Sequence, residues 1–352
     1  MIQPFISVVI PLYNNESLIT RCVHSILAQP FKNIEIIIID DGSSDNSYQT
    51  ASALSAEYKN IRVFHQENAG VSAARNHGIQ HCNGEYMVFC DSDDAYLENT
   101  ITEDFIQQLQ QMNADMVCCG YFRIVNNQTL KQGVEQSTAP EMIGPNFFRF
   151  PYSNHHVCSI FYKKQLLEQY KIRFKEGIKF TEDKVFVEMA LYCANSVWHT
   201  DHPFYLYIDN PLSVMNAHSE DAFKTLMHSF RVRKWESEVL SDMRSYGAET
   251  DAKIEKAVFS LAVGAILEML QAHFSTSISV QKARKELSFY GLEGYVENHA
   301  SYGLCQSVRK EFSLFVNHPY LFAMKYRLRG LCRQAALCLL PQSVIDKIRT
   351  HT

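Results

Sequence analysis

Short β-branched runs and amphipathic stretches take turns along the first part of the chain. The runs are Phe5–Ile10, Ile34–Ile39, Ile61–His65 and Tyr86–Cys90. Between the first two, Leu18, Ile19, Cys22, Val23, Ile26 and Leu27 recur at the spacing of a helix, behind Asn14-Asn15-Glu16, residues that suit a helix start. The alternation predicts βαβ units: an α/β fold with a mostly parallel, Rossmann-like sheet flanked by helices. Ile36-Ile37-Ile38-Ile39 lacks any polar alternation, which marks a central strand covered on both faces. Asp40 and Asp41 then fall at its carboxyl end, the edge outside which open α/β sheets bind ligands. Beyond about Asn216 the period lengthens, with Phe223, Leu226, Met227 and Phe230 in one helical pattern and Ile254, Val258 and Leu261 in another. The expected division is an α/β domain over 1–216 and a helical carboxyl-terminal region over 217–352.

Composition narrows the partners. With 352 residues and 46% hydrophobic content the chain can bury a large core, so disordered and fibrous readings fail. A net charge of -5 gives no basic field for a nucleic acid. The 10 cysteines are scattered, without a CxxC pair or Cys/His ligand spacing, and no leader-like segment precedes Phe5. They read as reduced thiols, and the expected location is cytoplasmic. Lys256 and Glu268 bracket the apolar stretch Ala257–Leu267, which is too short to cross a bilayer.

Four places carry candidate chemistry. Asp40-Asp41-Gly42-Ser43-Ser44-Asp45 follows the buried run; Gly42 permits a tight turn, Ser43 or Ser44 can cap the next helix, and one carboxylate can accept from a nucleobase N–H. Asn68-Ala69-Gly70 leads into small residues and Arg75, whose fork of donors suits phosphate or a carboxylate, although the same sequence also reads as a plain helix start with a surface arginine. Asp91-Ser92-Asp93-Asp94 follows Tyr86–Cys90. Three carboxylates in four residues repel unless a cation or protons neutralise them, and hard oxygen ligands suit Mg²⁺ or Mn²⁺; a solvated acidic turn is the alternative. Glu182 and Asp183 precede an apolar helical pattern, where they complement the helix dipole or supply a base.

Val9-Ile10-Pro11-Leu12-Tyr13-Asn14, Ile39-Asp40-Asp41-Gly42-Ser43, Asn68-Ala69-Gly70 through Arg75-Asn76 and Gly78, and Asp91-Ser92-Asp93-Asp94, in this order and spacing, closely resemble the family 2 glycosyltransferases of the GT-A fold. Phe161 through Phe174 and Gly177 to Glu182-Asp183 resembles that family's acceptor side, so the resemblance covers roughly Ile6 to Met215. It implies an inverting enzyme that moves a sugar from a UDP-sugar to a hydroxyl of a glycan or lipid-linked acceptor, in cell-surface polysaccharide assembly. Pro11, Tyr13 and Glu16 would line the nucleotide pocket, Asp41 would read the uracil edge, and Asn68 and Arg75 would support base and diphosphate. Asp91, on the ribose side, and Ser92 would also bind the nucleotide. Asp93 would contact a Mn²⁺ or Mg²⁺ ion, and Asp183, beside Glu182, would be the catalytic base.

The stretch Tyr207–Val214 departs from the family in having no basic residue immediately before Ser213, which weakens its assignment as a lid over the diphosphate. His218 nearby reads either as an extra metal or phosphate ligand or as a packing residue. From Tyr320 onward Lys325, Arg327, Arg329, Arg333, Lys347 and Arg349 face only Asp346, interleaved with leucines. That tail suits either the inner face of a cell membrane, to which the protein would be peripheral, or a helix packed on the core. Competing functions are a haloacid dehalogenase-type phosphatase, whose pattern has Thr or Val where Ala95 stands, and a non-catalytic sugar-nucleotide or glycan-binding module. A dinucleotide oxidoreductase lacks its pyrophosphate glycines in Pro11-Leu12-Tyr13-Asn14-Asn15.

Overall fold

The computed structural model describes residues 3–125, 128–132, 156–177, 182–209, 314, 317, 318 and 320–325. Each early apolar run forms a strand: β1 (Ile6–Leu12), β2 (Ile34–Asp41), β3 (Ile61–Gln66) and β4 (Tyr86–Phe89). The helices between them are α1 (Ile19–Leu27), α2 (Ser47–Glu57) and α3 (Val71–His81). There follow β5 (Ala95–Tyr96), α4 (Glu103–Met112), β6 (Met116–Val125), β7 (Gln128–Gln132), β8 (Ile160–Lys163), α5 (Lys164–Gln169), α6 (Glu182–Cys193) and β9 (Val197–Ile208).

One sheet takes in all nine described strands, in the order β3-β2-β1-β4-β8-β6-β9-β5, with β7 beside β6. The first four strands are mutually parallel, as βαβ alternation requires. Beyond β4 the sheet is mixed: β8 runs antiparallel to both β4 and β6, while β6 and β9 are parallel. Ile36, Ile37, Ile38 and Ile39 are all fully buried, confirming β2 as a central strand. Truncating any one of them to Ala should cost about 2–5 kcal/mol. β4 stops pairing with β1 at Val9↔Phe89, so Pro11 has a strand neighbour on the β2 side alone, and its missing N–H breaks no ladder there.

Two helix starts differ from expectation. The N-cap of α1 is Leu18, without a side-chain bond, because Asn14 and Glu16 turn away to the loop after β2. Neither Ser43 nor Ser44 caps α2; the Asp45 carboxylate accepts from Ser47 N at 2.9 Å instead. Helix α3 lies close on β1 because position 78 is glycine: a Cβ there would come within 2.3 Å of Val9 Cγ1.

The chain divides into two compact units, Met1–Glu220 with Leu240–Glu249 and Asp221–Val239 with Thr250–Thr352. In the second, residues 320–325 are helical and Tyr320, Leu321 and Met324 are exposed. His218 and the basic tail beyond Lys325 lie outside the described residues. No helix among the described residues is long and apolar enough to cross a membrane.

Candidate active site

The carboxyl ends of β1, β2, β3 and β4 release their loops along one rim, and the acidic residues singled out from the sequence stand there. Asp41 closes β2 and is 4% exposed. Its Oδ1 accepts from Gln66 Nε2 at 2.7 Å and Ala69 N at 2.9 Å, and its Oδ2 accepts from Gly70 N at 2.8 Å. The carboxylate thus ties down the Asn68-Ala69-Gly70 loop; of about four lone-pair sites it uses three, leaving one on Oδ2. Gly42, at φ +71, lets this loop approach, since a Cβ would meet Asn68 N at 2.7 Å. Asp40 is fully buried and holds His65 Nδ1 at 2.7 Å through Oδ2, while its Oδ1 has no hydrogen-bond partner.

The loop after β1 is latched to its neighbours. Asn14 Oδ1 accepts from Ser44 N at 2.7 Å, Glu16 Oε2 from Asn46 N at 2.7 Å, and Asn15 Nδ2 donates to Ser92 Oγ at 2.9 Å. These bonds fix Glu16 and Ser92 at the rim and leave Tyr13 52% exposed there, with Asn68 exposed across the same edge. Pro11 is buried inside β1.

The three acids after β4 have three different surroundings. Asp91 Oδ1 accepts from Arg75 Nη2 at 2.8 Å. Burial works against its charge, yet Arg75 holds its carboxyl below the usual range. Asp94 is buried and accepts from Ile208 N at 2.8 Å and from the Tyr205 hydroxyl. Burial, with the Asp91 charge next to it, pushes Asp94 well above the carboxylate range. Asp93 stays half-buried at the rim, its carbonyl accepting from Arg21. The repulsion expected of this cluster is therefore relieved in part within the chain, by Arg75 at Asp91 and by burial at Asp94.

Arg75 is not a surface residue: it is 4% exposed. Besides Asp91 it reaches Glu182, with Nη1 3.5 Å from Oε1, and its guanidinium lies 5.1 Å above the Phe174 ring. Burial opposes its charge, but Asp91 and Glu182 outweigh it and hold the group cationic. Its Nε and Nη1, and the Ser72 hydroxyl, are buried without hydrogen-bond partners. Next in sequence, Asn76 clamps the chain ahead of α6, donating to Phe174 O at 2.8 Å and accepting from Phe174 N at 2.8 Å. The Phe174 ring stacks on Phe186 of α6 at 3.9 Å. Burial, opposed by Arg75 and aided by Asp183, pushes Glu182 up to about 7.

Helix α3 thus brings the predicted residues together. Its leading loop is bound by Asp41, and one turn in, Arg75 joins Asp91 to Glu182, the neighbour of Asp183. Asp183, half-buried at the start of α6, and Asp91 both act on His156, whose ring burial nonetheless holds below its ordinary value. His156 and Tyr205 were missed because they lie far along the chain, outside any local motif. Gln66 could have been found, since extending the parallel register Ile36↔Ile61 sets it opposite Asp41.

Residues 7–171 match Glycosyl transferase family 2. An uncharacterized glycosyltransferase of Bacillus subtilis, EpsJ, is 31% identical over 245 residues, 67% of this chain and 69% of that protein. Glycosyltransferase GlyG of Streptococcus pneumoniae is 47% identical over 118 residues, 33% of this chain and 39% of that protein. The fold matches S. aureus TarS in complex with UDP-GlcNAc, with a TM-score of 0.62 at 19% identity over 94% of this chain and 92% of that one. The dehalogenase-type phosphatase reading falls with these matches, and the α/β sheet is of the GT-A kind. By its sequence relatives and its fold, this chain belongs to glycosyl transferase family 2.

Proposed function

We propose that the chain moves a sugar from a UDP-sugar to a hydroxyl of a glycan or lipid-linked acceptor, with inversion at the anomeric carbon. The carrying observation is the Asp91–Arg75–Glu182 bridge, which couples the acidic loop after β4 to the start of α6. A donor bound along the rim would place its uracil at Asp41, where the remaining lone pair on Oδ2 accepts the ring N3–H. Tyr13 and Glu16 would flank the base, with Pro11 behind them. Asn68 and Ser92 would line the nucleoside, and Asp91 would take the ribose side. Arg75, whose Nε and Nη1 are buried without a hydrogen bond, would support the diphosphate.

The acceptor oxygen attacks the anomeric carbon from the side opposite the diphosphate, its proton passes to Asp183, and UDP leaves with the bonding pair. Glu182, pushed up to about 7, exchanges a proton near neutral pH beside that base. Asp93, half-buried at the rim, would make the direct contact with a hard divalent cation, its carboxylate oxygen suiting such an ion, while Asp91 would stay on the ribose side. Mn²⁺ or Mg²⁺ there would offset negative charge on the departing diphosphate. The catalytic part is taken as 1–216 and the helical part as 217–352, whose basic tail would meet the inner membrane face where a lipid-linked acceptor is presented. A cytoplasmic site of action and a role in cell-surface polysaccharide assembly accord with that placement.

Asp183→Asn tests the assignment against a binding module. UDP affinity should stay within about twofold while transfer falls by about 10²–10⁴. Transfer at the wild-type rate would refute Asp183 as the base.

A further inference from the structure

Asp41 can present its last lone pair to a base only if the other three bonds keep the carboxylate in place, and one of those bonds depends on a residue outside the nucleotide loops. Gln66 Nε2 donates to Asp41 Oδ1 at 2.7 Å, and Gln66 Oε1 lies 2.8 Å from His77 Nδ1. The proton positions follow by elimination. A carboxylate only accepts, so Gln66 must turn its NH₂ toward Asp41. Its carbonyl oxygen then faces His77 and can only accept, so Nδ1 of His77 carries the hydrogen. A histidine without that N–H would leave the Gln66 amide free to flip, and the flipped amide would set its oxygen against the carboxylate.

We infer that His77, acting through Gln66, is a positioning residue that fixes Asp41 and the Asn68-Ala69-Gly70 loop for recognition of a pyrimidine carrying a ring N–H. This rests on the reading of Asp41 as the base contact and adds to it the device that sets its selectivity. The placement is independent of the reacting groups: His77 is on α3 two residues beyond Arg75, its ring 5.8 Å from Phe64 and 5.0 Å from His81. The chemistry predicts discrimination between two bases of the same shape. Uracil offers an N3–H to Asp41, whereas cytosine has at N3 only a lone pair, which an acceptor-only carboxylate repels.

His77→Phe keeps an aromatic ring against Phe64 and removes the donor, while His77→Asn restores an N–H near the Nδ1 position. Titration calorimetry with UDP and CDP on the full chain gives the first readout. The Phe variant should weaken UDP by about fivefold, the worth of one hydrogen bond, and narrow the UDP/CDP ratio, while the Asn variant regains most of both. In transfer assays, KM for the donor should rise by more than kcat falls. Hydrogen exchange at Ala69 and Gly70 in the ligand-free protein gives a second readout, expected to quicken in His77→Phe and to recover in His77→Asn. Phe and Asn variants that behave alike, or a Phe variant with wild-type UDP affinity and exchange, would overturn the inference. Asp41→Asn separates it from the donor reading: wild-type UDP affinity in that variant would remove Asp41 as the base contact, while the two exchange rates would still decide the role of His77.

Discussion

Glu182 links the site to the stability of the fold, and the link can be measured. Its side chain is 13% exposed, with Arg75 Nη1 at 3.5 Å. Burial raises the carboxyl, Arg75 draws it down, Asp183 pushes it up again, and the outcome is a move from 4.5 to about 7. In that interval the folded chain holds a proton that the unfolded chain has released. Stability from this group is therefore complete below about 4.5 and is lost as pH rises through about 7. The rise corresponds to roughly 3 kcal/mol. Glu182→Gln keeps the shape and cannot titrate. In urea unfolding, the variant should match the wild type near pH 4 and exceed it by up to roughly 3 kcal/mol at pH 8. A difference that does not change with pH, or a wild type that is the more stable at pH 8, would refute the reasoning.

Arg75→Met should destabilise by about 2–4 kcal/mol, because it strips a buried cation from two half-buried carboxyls, and chemical denaturation will read it; a loss under about 1 kcal/mol would show that Asp91 and Glu182 do not depend on Arg75. Gly78→Ala gains about 1 kcal/mol of helix propensity and meets Val9 Cγ1 at 2.3 Å, so a net cost of about 1–2 kcal/mol is expected. Pairing it with Val9→Ala should recover part of that cost in a double-mutant cycle, and strict additivity would deny the contact.

The sequence made the parallel half of the sheet legible because β1, β2 and β4 are dominated by apolar residues buried along their whole length, whereas β3 is only partly covered and was marked by its β-branched residues alone. The second half was harder. β8, β6 and β9 pair across long intervals of chain, and no local period announces that β9 will run beside β6 or that Tyr205 will reach Asp94. At the site, the acids were found by their position after strands. Their division into a charged Asp91, a buried Asp94 and a rim-facing Asp93 came from the tertiary partners. Arg75 shows the same limit: its motif suggested a carboxylate or phosphate partner, but only the packing of α3 against Phe174 reveals that it serves two acids at once. Helix caps failed for a related reason, since Asn14 and Glu16 use the side chains suited to capping α1 to fasten the loop after β2.

The central claim is that this rim holds a uridine diphosphate sugar together with a divalent cation. The most direct measurement is a thermal-shift screen of UDP-sugars with Mn²⁺ and with chelator. The account predicts a rise in melting temperature that depends on both the nucleotide sugar and the metal, is largest for one sugar, and disappears in Asp93→Asn. No stabilisation by any UDP-sugar, with or without metal, would contradict it.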